Sequence, residues 1–290
     1  MLKFLKALPS RIRNWLTWPL VTLSPLVGLQ QSQHDFLMRA EWERSLTTAK
    51  NPLNRFGAKC FSQTDEDGIT SEIVRRLGIK EGIFAELGVG NGLENNTLIL
   101  LACGWRGFWI GNQDLAFDYR LNPKRLAYIR GWVSLDNLAD LMHSGFENVG
   151  TNQLDVLSLD LDGNDYYFAR ELLKMGIFPK LLILEYNAKF PPPIKWTIKY
   201  DANHSSDGTD YFGASLALLC ELLNDFSYTL ICCNAATGAN AFFVRNEYLS
   251  HFGDVPKTIE DIYVGCRYQL YQRWGHPPSP QTVERILLAD

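Results

Sequence analysis

Apolar residues along this chain gather in short runs, each followed by a stretch with helical periodicity. Residues 82–87, 107–110, 154–161 and 180–186 are such runs, with little polar alternation inside them. Strands covered on both faces of a parallel sheet need that composition. Among the helix candidates, residues 66–77 place Ile69, Ile73, Val74 and Leu77 near one face, with Gly78 as the stop signal. Residues 93–102, 166–175 and 214–223 read as further helices, and Leu138, Leu141 and Met142 mark one side of another. Residues 122–129 read as a short helix and 132–134 as a short third strand. Two last runs, 228–233 and 241–245, are joined by a link short enough for a hairpin.

Alternation of this kind predicts an α/β fold: a doubly wound, Rossmann-like, mostly parallel seven-stranded sheet with a C-terminal antiparallel hairpin. A partly helical N-terminal arm over residues 1–55 precedes the main domain, 56–248. A C-terminal helical extension follows over 249–290, where Ser279 and Pro280 form a good N-cap and first-turn pair. Residues 187–210 have no period and contain Pro191, Pro192 and Pro193. A loop of that length after a strand C-terminus, where ligands bind in open α/β sheets, is expected to be a lid. Trp196, Tyr211 and Phe212 are expected to pack it shut.

The most specific local pattern ends the first run. Glu86 is followed by glycines at every second position, Gly88, Gly90 and Gly92. Glycines permit a sharp turn and close approach of the backbone to a ligand, and a following helix presents free N–H groups. A dinucleotide fingerprint would place its third glycine at position 93, where this chain has Leu93. The acid-x-Gly-x-Gly-x-Gly order is instead the form associated with S-adenosylmethionine (SAM), whose cationic methionine portion the strand-end acid can help hold. Glu86, Gly88, Gly90, Asn91 and Gly92 are therefore the expected cofactor-binding segment. Asp136 and Asn137, placed just after the third strand, stand where such folds make adenine contacts. The less favoured enzyme class is an NAD-dependent oxidoreductase, and the bland alternative is a plain glycine turn.

A second constellation ends the fourth strand, where Asp160, Asp162 and Asp165 follow within six residues. Clustered carboxylates repel unless a cation, a proton or hydrogen bonds stabilise them. With Glu185, at the end of the next strand, they are candidate ligands for Mg²⁺ or another divalent cation. Alternatively Asp160 and Glu185 serve as a general base, and His204, the lid's one histidine, joins them as an acid/base candidate. The structural alternative is that Asp165 caps the following helix and Asp162 fixes the turn.

Composition narrows the partners. Apolar residues at 46% and charged residues at 21% are ordinary for a soluble globular chain. A net charge of −4 offers no basic field for a nucleic-acid backbone, so no nucleic-acid partner is expected. Six cysteines without a Cys-x-x-Cys pair favour a reduced, cytoplasmic chain. Cys232 and Cys233 are strand neighbours whose side chains should point to opposite faces. Lys3, Lys6, Arg11 and Arg13 precede any acidic residue, and the apolar stretch after them is broken by Pro19 and Pro25. That stretch is too interrupted to span a bilayer. Peripheral contact of the arm with an anionic membrane is a candidate role, with packing on its own domain as the alternative.

With these residues assembled, the sequence resembles the FkbM-like SAM-dependent methyltransferases from about Phe61 to Arg245. The landmarks are the stretch from Ser62 to Gly68, the glycine loop with Glu94 to Leu98, Gly104 to Gly107, Asp136 with Asn137, Asp155 to Tyr167, and Glu185 to Asn187. Asp207 to Ser215 and Asn240 to Val244 extend the likeness. The resemblance implies SAM as cofactor and O-methyl transfer, often to a sugar hydroxyl of a natural product or surface glycan. One departure stands out. Such enzymes carry an acid at the end of strand two for the ribose hydroxyls, and here Gly111 holds that place, with Asn112 or Asp114 as substitutes. A chain that had lost the cofactor would be a non-catalytic glycan-binding or scaffolding protein on the same fold.

Overall fold

The structure, a computed structural model, describes residues 46–161 and 163–267, with scattered positions between 25 and 44. The chain divides into two compact units, Met1–Arg44 and Ser45–Asp290. In the first, the described residues are helical and include an Arg39–Glu43 ion pair one turn apart at 2.9 Å. Lys3, Lys6, Arg11 and Arg13 lie outside the described residues. Among the described residues, no helix is long and apolar enough to cross a membrane.

The second unit holds the strands β1 (Ile83–Leu87), β2 (Arg106–Gly111), β3 (Leu126–Arg130), β4 (Val156–Leu159), β5 (Leu181–Glu185), β6 (Tyr228–Cys233) and β7 (Asn240–Arg245). Its helices are α1 (Glu66–Arg76), α2 (Leu98–Ala102), α3 (Leu138–Val149), α4 (Asp165–Lys174), α5 (Leu216–Asp225) and α6 (Ile259–Ile262). One seven-stranded sheet forms in the order β3-β2-β1-β4-β5-β7-β6. Neighbours from β3 to β5 run parallel, while β7 is antiparallel to both β5 and β6. The doubly wound sheet with a reversed terminal hairpin is thus what the periodicity led one to expect.

Strand alternation builds two cores. On one face Ala85, Leu87, Phe108 and Ile110 pack with Leu138 and Met142 of α3, Phe168 and Leu172 of α4 and Leu219 of α5. On the other, Phe84, Trp109, Ile183 and Phe242 meet Ile69 and Ile73 of α1 and Leu100 of α2. Each fully buried Leu, Ile, Phe or Met among them contributes about 1.5–3 kcal/mol. Cys232 joins the second core and Cys233 the first, so these neighbours do face opposite ways, and all six cysteines are free thiols.

Four expectations need correction. The third strand is β3, inside the segment read as a helix over 122–129, and 132–134 is not a strand. β3 lies at the sheet edge bonded only to β2, so its outer half is partly solvated and shows no continuous apolar run. The helix after the glycine loop begins at Leu98 rather than at position 93. Residues 52–56 form a 3₁₀ turn that belongs to the main unit and not to an arm. There Asn51 Nδ2 donates to Ile231 O at 2.6 Å and Asn54 Nδ2 to Cys233 O at 2.7 Å. Beyond β7 the chain forms a 3₁₀ segment, Asn246–Phe252, and the short α6. Ser279 and Pro280 lie outside the described residues.

Candidate ligand-binding site

The carboxyl ends of β1 to β4 converge on the glycine loop. Gly88 follows β1 with φ +91°, and its N–H donates to Ile110 O at 2.9 Å. A Cβ at Gly88 would stand 1.6 Å from the Asp160 carbonyl oxygen, so only glycine lets the ends of β1 and β4 close together. Gly90 has φ +52°, and a Cβ there would meet nothing within 4 Å. It faces open space. Gly92 turns the other way, toward the side chains of Leu115, Phe117 and Trp109.

That open space is a cavity of about 240 Å³. Its walls are Gly88 and Gly90, then Gly111, Asn112 and Gln113 at the end of β2, and Gly131, Trp132 and Val133 after β3. Asp160, Leu161 and Asn164 follow β4, Phe168 comes from α4, and His204 and Ser205 descend from the lid. Gly88, Gly90, Asn112, Asp160 and His204 are therefore the expected site residues that meet on one cavity.

Glu86 is engaged elsewhere. It is 2% exposed, its Oε1 accepts from Asn96 N at 2.9 Å, and its Oε2 accepts from Thr97 N at 2.9 Å and Thr97 Oγ1 at 2.5 Å. Burial pushes its pKa up, and the donors from Thr97 and Asn96 pull against that. The strand-end acid thus fixes the entry to α2 and uses the N–H groups that a ligand would otherwise have met. This also explains the late start of α2, because residues 91–97 are held in a loop over Glu86.

Two other expected contacts act at one remove. Asp136 is exposed, and Asn137 uses its side chain locally: Oδ1 accepts from Ser134 N at 2.9 Å and Nδ2 donates to Trp132 O at 2.8 Å. Asn137 therefore shapes the turn that presents Trp132 and Val133 to the cavity. Of the two substitutes at the end of β2, Asp114 pairs with Arg130 at 2.5 Å on the exposed rim, which leaves Asn112 on the wall. Asn91 accepts from Leu93 N at 3.1 Å and is exposed.

Among the described residues the acidic cluster does not gather into a metal centre. Asp165 is buried, its Oδ1 accepting from Leu161 N at 2.9 Å and its Oδ2 from Gly163 N at 3.2 Å, so both oxygens shape the turn before α4. Glu185 ends β5 opposite Asn240 and is not on the cavity wall. Asp162 lies outside the described residues. Among the described residues, no group of three or more His, Cys, Asp or Glu side chains could hold a metal ion. The expected divalent-cation site therefore finds no support among the described residues.

The lid has a small core of its own. Phe190 and Trp196 stack with centroids 4.3 Å apart, Ile198 completes the cluster, and Tyr211 packs against it, while Phe212 belongs to the main core. Four hydrogen bonds tie the lid to the cavity rim. Tyr167 OH donates to Ile198 O at 2.8 Å, Leu135 N to Tyr200 OH at 2.9 Å, Asn164 Nδ2 to Asp201 O at 2.8 Å, and Trp132 Nε1 to Ala202 O at 2.6 Å. Sequence reasoning missed Gln113, Trp132, Val133, Leu161, Asn164, Phe168 and Ser205. A correctly placed β3 would have put Trp132 at a strand C-terminus, and the four-residue spacing of Asn164 and Phe168 would have set them on one face of α4.

No known family profile matches the chain, and no curated protein matches it. Among solved structures it is similar to an O-methyltransferase from Bacillus cereus in complex with S-adenosylhomocysteine (SAH). The identity there is 16%, over 70% of this chain and 89% of that one, with a TM-score of 0.36. It is also similar to the glycopeptide N-methyltransferase MtfA, at 15% identity over 67% and 96% of the two chains and a TM-score of 0.34. A precorrin-6y C5,15-methyltransferase from Geobacter metallireducens gives 11% identity over 67% and 98%, with a TM-score of 0.35. Likenesses this distant carry no weight for activity. The strand order and the reversed last hairpin make a Rossmann-like fold, which by itself fixes no reaction.

Proposed function

We propose that the chain is a SAM-dependent O-methyltransferase acting on a hydroxyl of a sugar, glycan or related small molecule. The observation that supports this most is the glycine loop itself. Gly88 is required for closure against β4, and Gly90 opens on a cavity at the mouth of β1 to β4 with room where a side chain would stand. The donor set fits an adenosyl ligand. Asn112 and Gln113 offer amide groups for ribose hydroxyls, while Trp132, Val133, Leu161 and Phe168 offer apolar surface for a base.

SAM supplies, when bound, a methyl group already made electrophilic by its sulfonium. The remaining work falls to the protein, which must align an acceptor, exclude water and take up the hydroxyl proton. The tethered lid excludes water. Asp160, on the cavity wall, is the first candidate for the proton, and Glu185, one strand over, is the second. The acceptor class rests on the sequence likeness to FkbM-like enzymes.

One observation favours a second reading, a non-catalytic glycan-binding protein: Glu86 is engaged with α2, and no acid ends β2. Calorimetry with SAM, SAH and NAD separates the possibilities. Micromolar binding of SAM and SAH with no heat from NAD is expected. Tight NAD binding without SAM binding would turn the reading to an oxidoreductase, and binding of none of them to the non-catalytic protein.

A further inference from the structure

A second cavity, of about 390 Å³, is built by β3 and by the loop that joins β2 to β3. It shares no residue with the cavity at the strand ends, and the proposed methyl transfer makes no use of it. Tyr128 and Arg130 stand two positions apart on β3 and so share a face of the sheet. The loop supplies the rest of the wall. The Tyr128 hydroxyl is shared between the carbonyl oxygens of Gly111 and Gln113, two residues that line the first cavity. That tether divides the two spaces and leaves the Tyr128 ring as wall for the second.

Two kinds of group line this space. The first is aromatic. Phe117 is 37% exposed, and the rings of Tyr119 and Tyr128 meet edge to face with centroids 5.5 Å apart and planes at 70°. The second is a set of two exposed ion pairs, Arg130 Nη1 with Asp114 Oδ1 at 2.5 Å and Arg120 Nε with Asp118 Oδ1 at 2.7 Å. Exposed pairs add little to stability, so the fold does not account for two of them on one wall. Each contact engages one carboxylate oxygen and one guanidinium nitrogen. Among the described residues this leaves, at each pair, a second oxygen as acceptor beside further N–H donors.

These groups narrow the ligand. The charges cancel in pairs, so an ion would have to displace a partner already in place. The two tyrosines touch edge to face, so no parallel slot lies between them for a flat base. A sugar unit meets neither obstacle. Its C–H face packs on an aromatic ring, and its neighbouring hydroxyls, each both donor and acceptor, match a carboxylate beside a guanidinium. We infer that the second cavity holds a neutral sugar unit and is a carbohydrate site separate from the cavity at the strand ends. The inference goes beyond the methyl-transfer reading and does not depend on it, since the site would anchor a glycan with or without a methyl donor bound.

The test screens the full chain on a printed array of neutral, amino and uronic-acid oligosaccharides, then titrates the strongest binder by calorimetry. The wild-type protein is expected to retain neutral glycans, with an affinity that high salt leaves unchanged. Phe117→Ala and Arg120→Ala should each weaken that binding about tenfold or more, the effect of one lost ring contact or one hydrogen bond to a charged group. Arg120 is exposed and paired with Asp118 alone, so its variant should melt with the wild-type protein and decides the matter even if Phe117→Ala is unstable. Retention of no glycan overturns the assignment. So does equal affinity in both variants, which would put the glycan elsewhere on the chain. Retention confined to uronic acids and abolished by salt overturns it in favour of an anion site. SAH calorimetry on the same samples reports on the other cavity. SAH binding without glycan binding removes this inference alone, and variant-sensitive glycan binding without SAH binding removes only the methyltransferase reading.

Discussion

At the scale of single residues, two glycines two positions apart have different reasons to be glycine. Gly88 is fixed by packing, since its missing Cβ is where the Asp160 carbonyl lies, 1.6 Å away. Gly90 is fixed by conformation alone, with φ +52° and empty space beyond. Gly88→Ala is therefore expected to force β1 and β4 apart and to fail to fold or to lose several kcal/mol. Gly90→Ala should cost only about 1–2 kcal/mol for the left-handed backbone, while placing a methyl group in the cavity and weakening SAH at least tenfold. Urea denaturation and calorimetry on the two variants check this. Equal destabilisation of both, or full SAH affinity in Gly90→Ala, would contradict it. The spacing of these glycines was readable in the sequence, but their division of labour was not, because it depends on what β4 brings alongside. Glu86 makes the same point in reverse. The pattern marked it as a ligand contact, and the donors at Asn96 and Thr97, ten and eleven residues on, claimed it first.

At the scale of elements, legibility tracked burial. β1, β4 and β5 lie in the interior of the sheet and β6 and β7 carry dense apolar runs, so sequence reading placed all five within two residues of where they form. β3, half-solvated at an edge, reads as a helix in the sequence. The stretch from Ser62 to Gly68 was legible only as a landmark, and its role needs coordinates. Asp65, Glu66 and Asp67 are all buried at the start of α1, and each holds a different part of the chain. Asp67 Oδ2 accepts from the N–H groups of Cys60, Phe61 and Ser62 at 2.7, 2.6 and 2.8 Å. Asp65 accepts from Ala235 N and Ala236 N at 2.9 and 3.1 Å, and Glu66 Oε1 accepts from Asn234 Nδ2 at 3.0 Å and Asn240 Nδ2 at 3.3 Å. Asp65 and Glu66 staple α1 to the link between β6 and β7 and to the start of β7, while Asp67 fixes the loop ahead of α1.

That staple carries a pH signature. Burial first, and the Asp65 charge second, raise the Glu66 pKa above its ordinary 4.5. The folded state then holds this proton more tightly than the unfolded chain, so the contribution is fully present below 4.5 and is lost as pH rises through the raised value. Stability measured by urea denaturation should fall across that window in the wild-type protein and fall less steeply in Glu66→Gln. An unchanged slope in the variant would place the titration elsewhere, with buried Glu86, which shifts in the same direction, as the next group to replace.

At the scale of the whole molecule, charge is distributed unevenly along the sequence. The four basic residues Lys3, Lys6, Arg11 and Arg13 precede the first acid at Asp35, so a chain of net charge −4 carries +4 in its first 34 residues and −8 in the rest. An anionic bilayer attracts such a segment by about 1 kcal/mol for each basic residue near the surface, and it repels the acidic remainder. Leu2, Phe4, Leu5, Ile12 and Trp15, interleaved with those charges, would add apolar contact at the headgroup boundary. Full-length protein should therefore sediment with phosphatidylserine vesicles at low salt, much less at high salt where the charges are screened, and little with neutral phosphatidylcholine vesicles. A variant lacking residues 1–30 should stay in the supernatant throughout and still bind SAH with the full-length affinity, because every wall of the cavity comes from residues 88–205. Equal sedimentation of the two forms would remove the membrane role. A loss of SAH binding on truncation would mean instead that the arm supports the folded sheet.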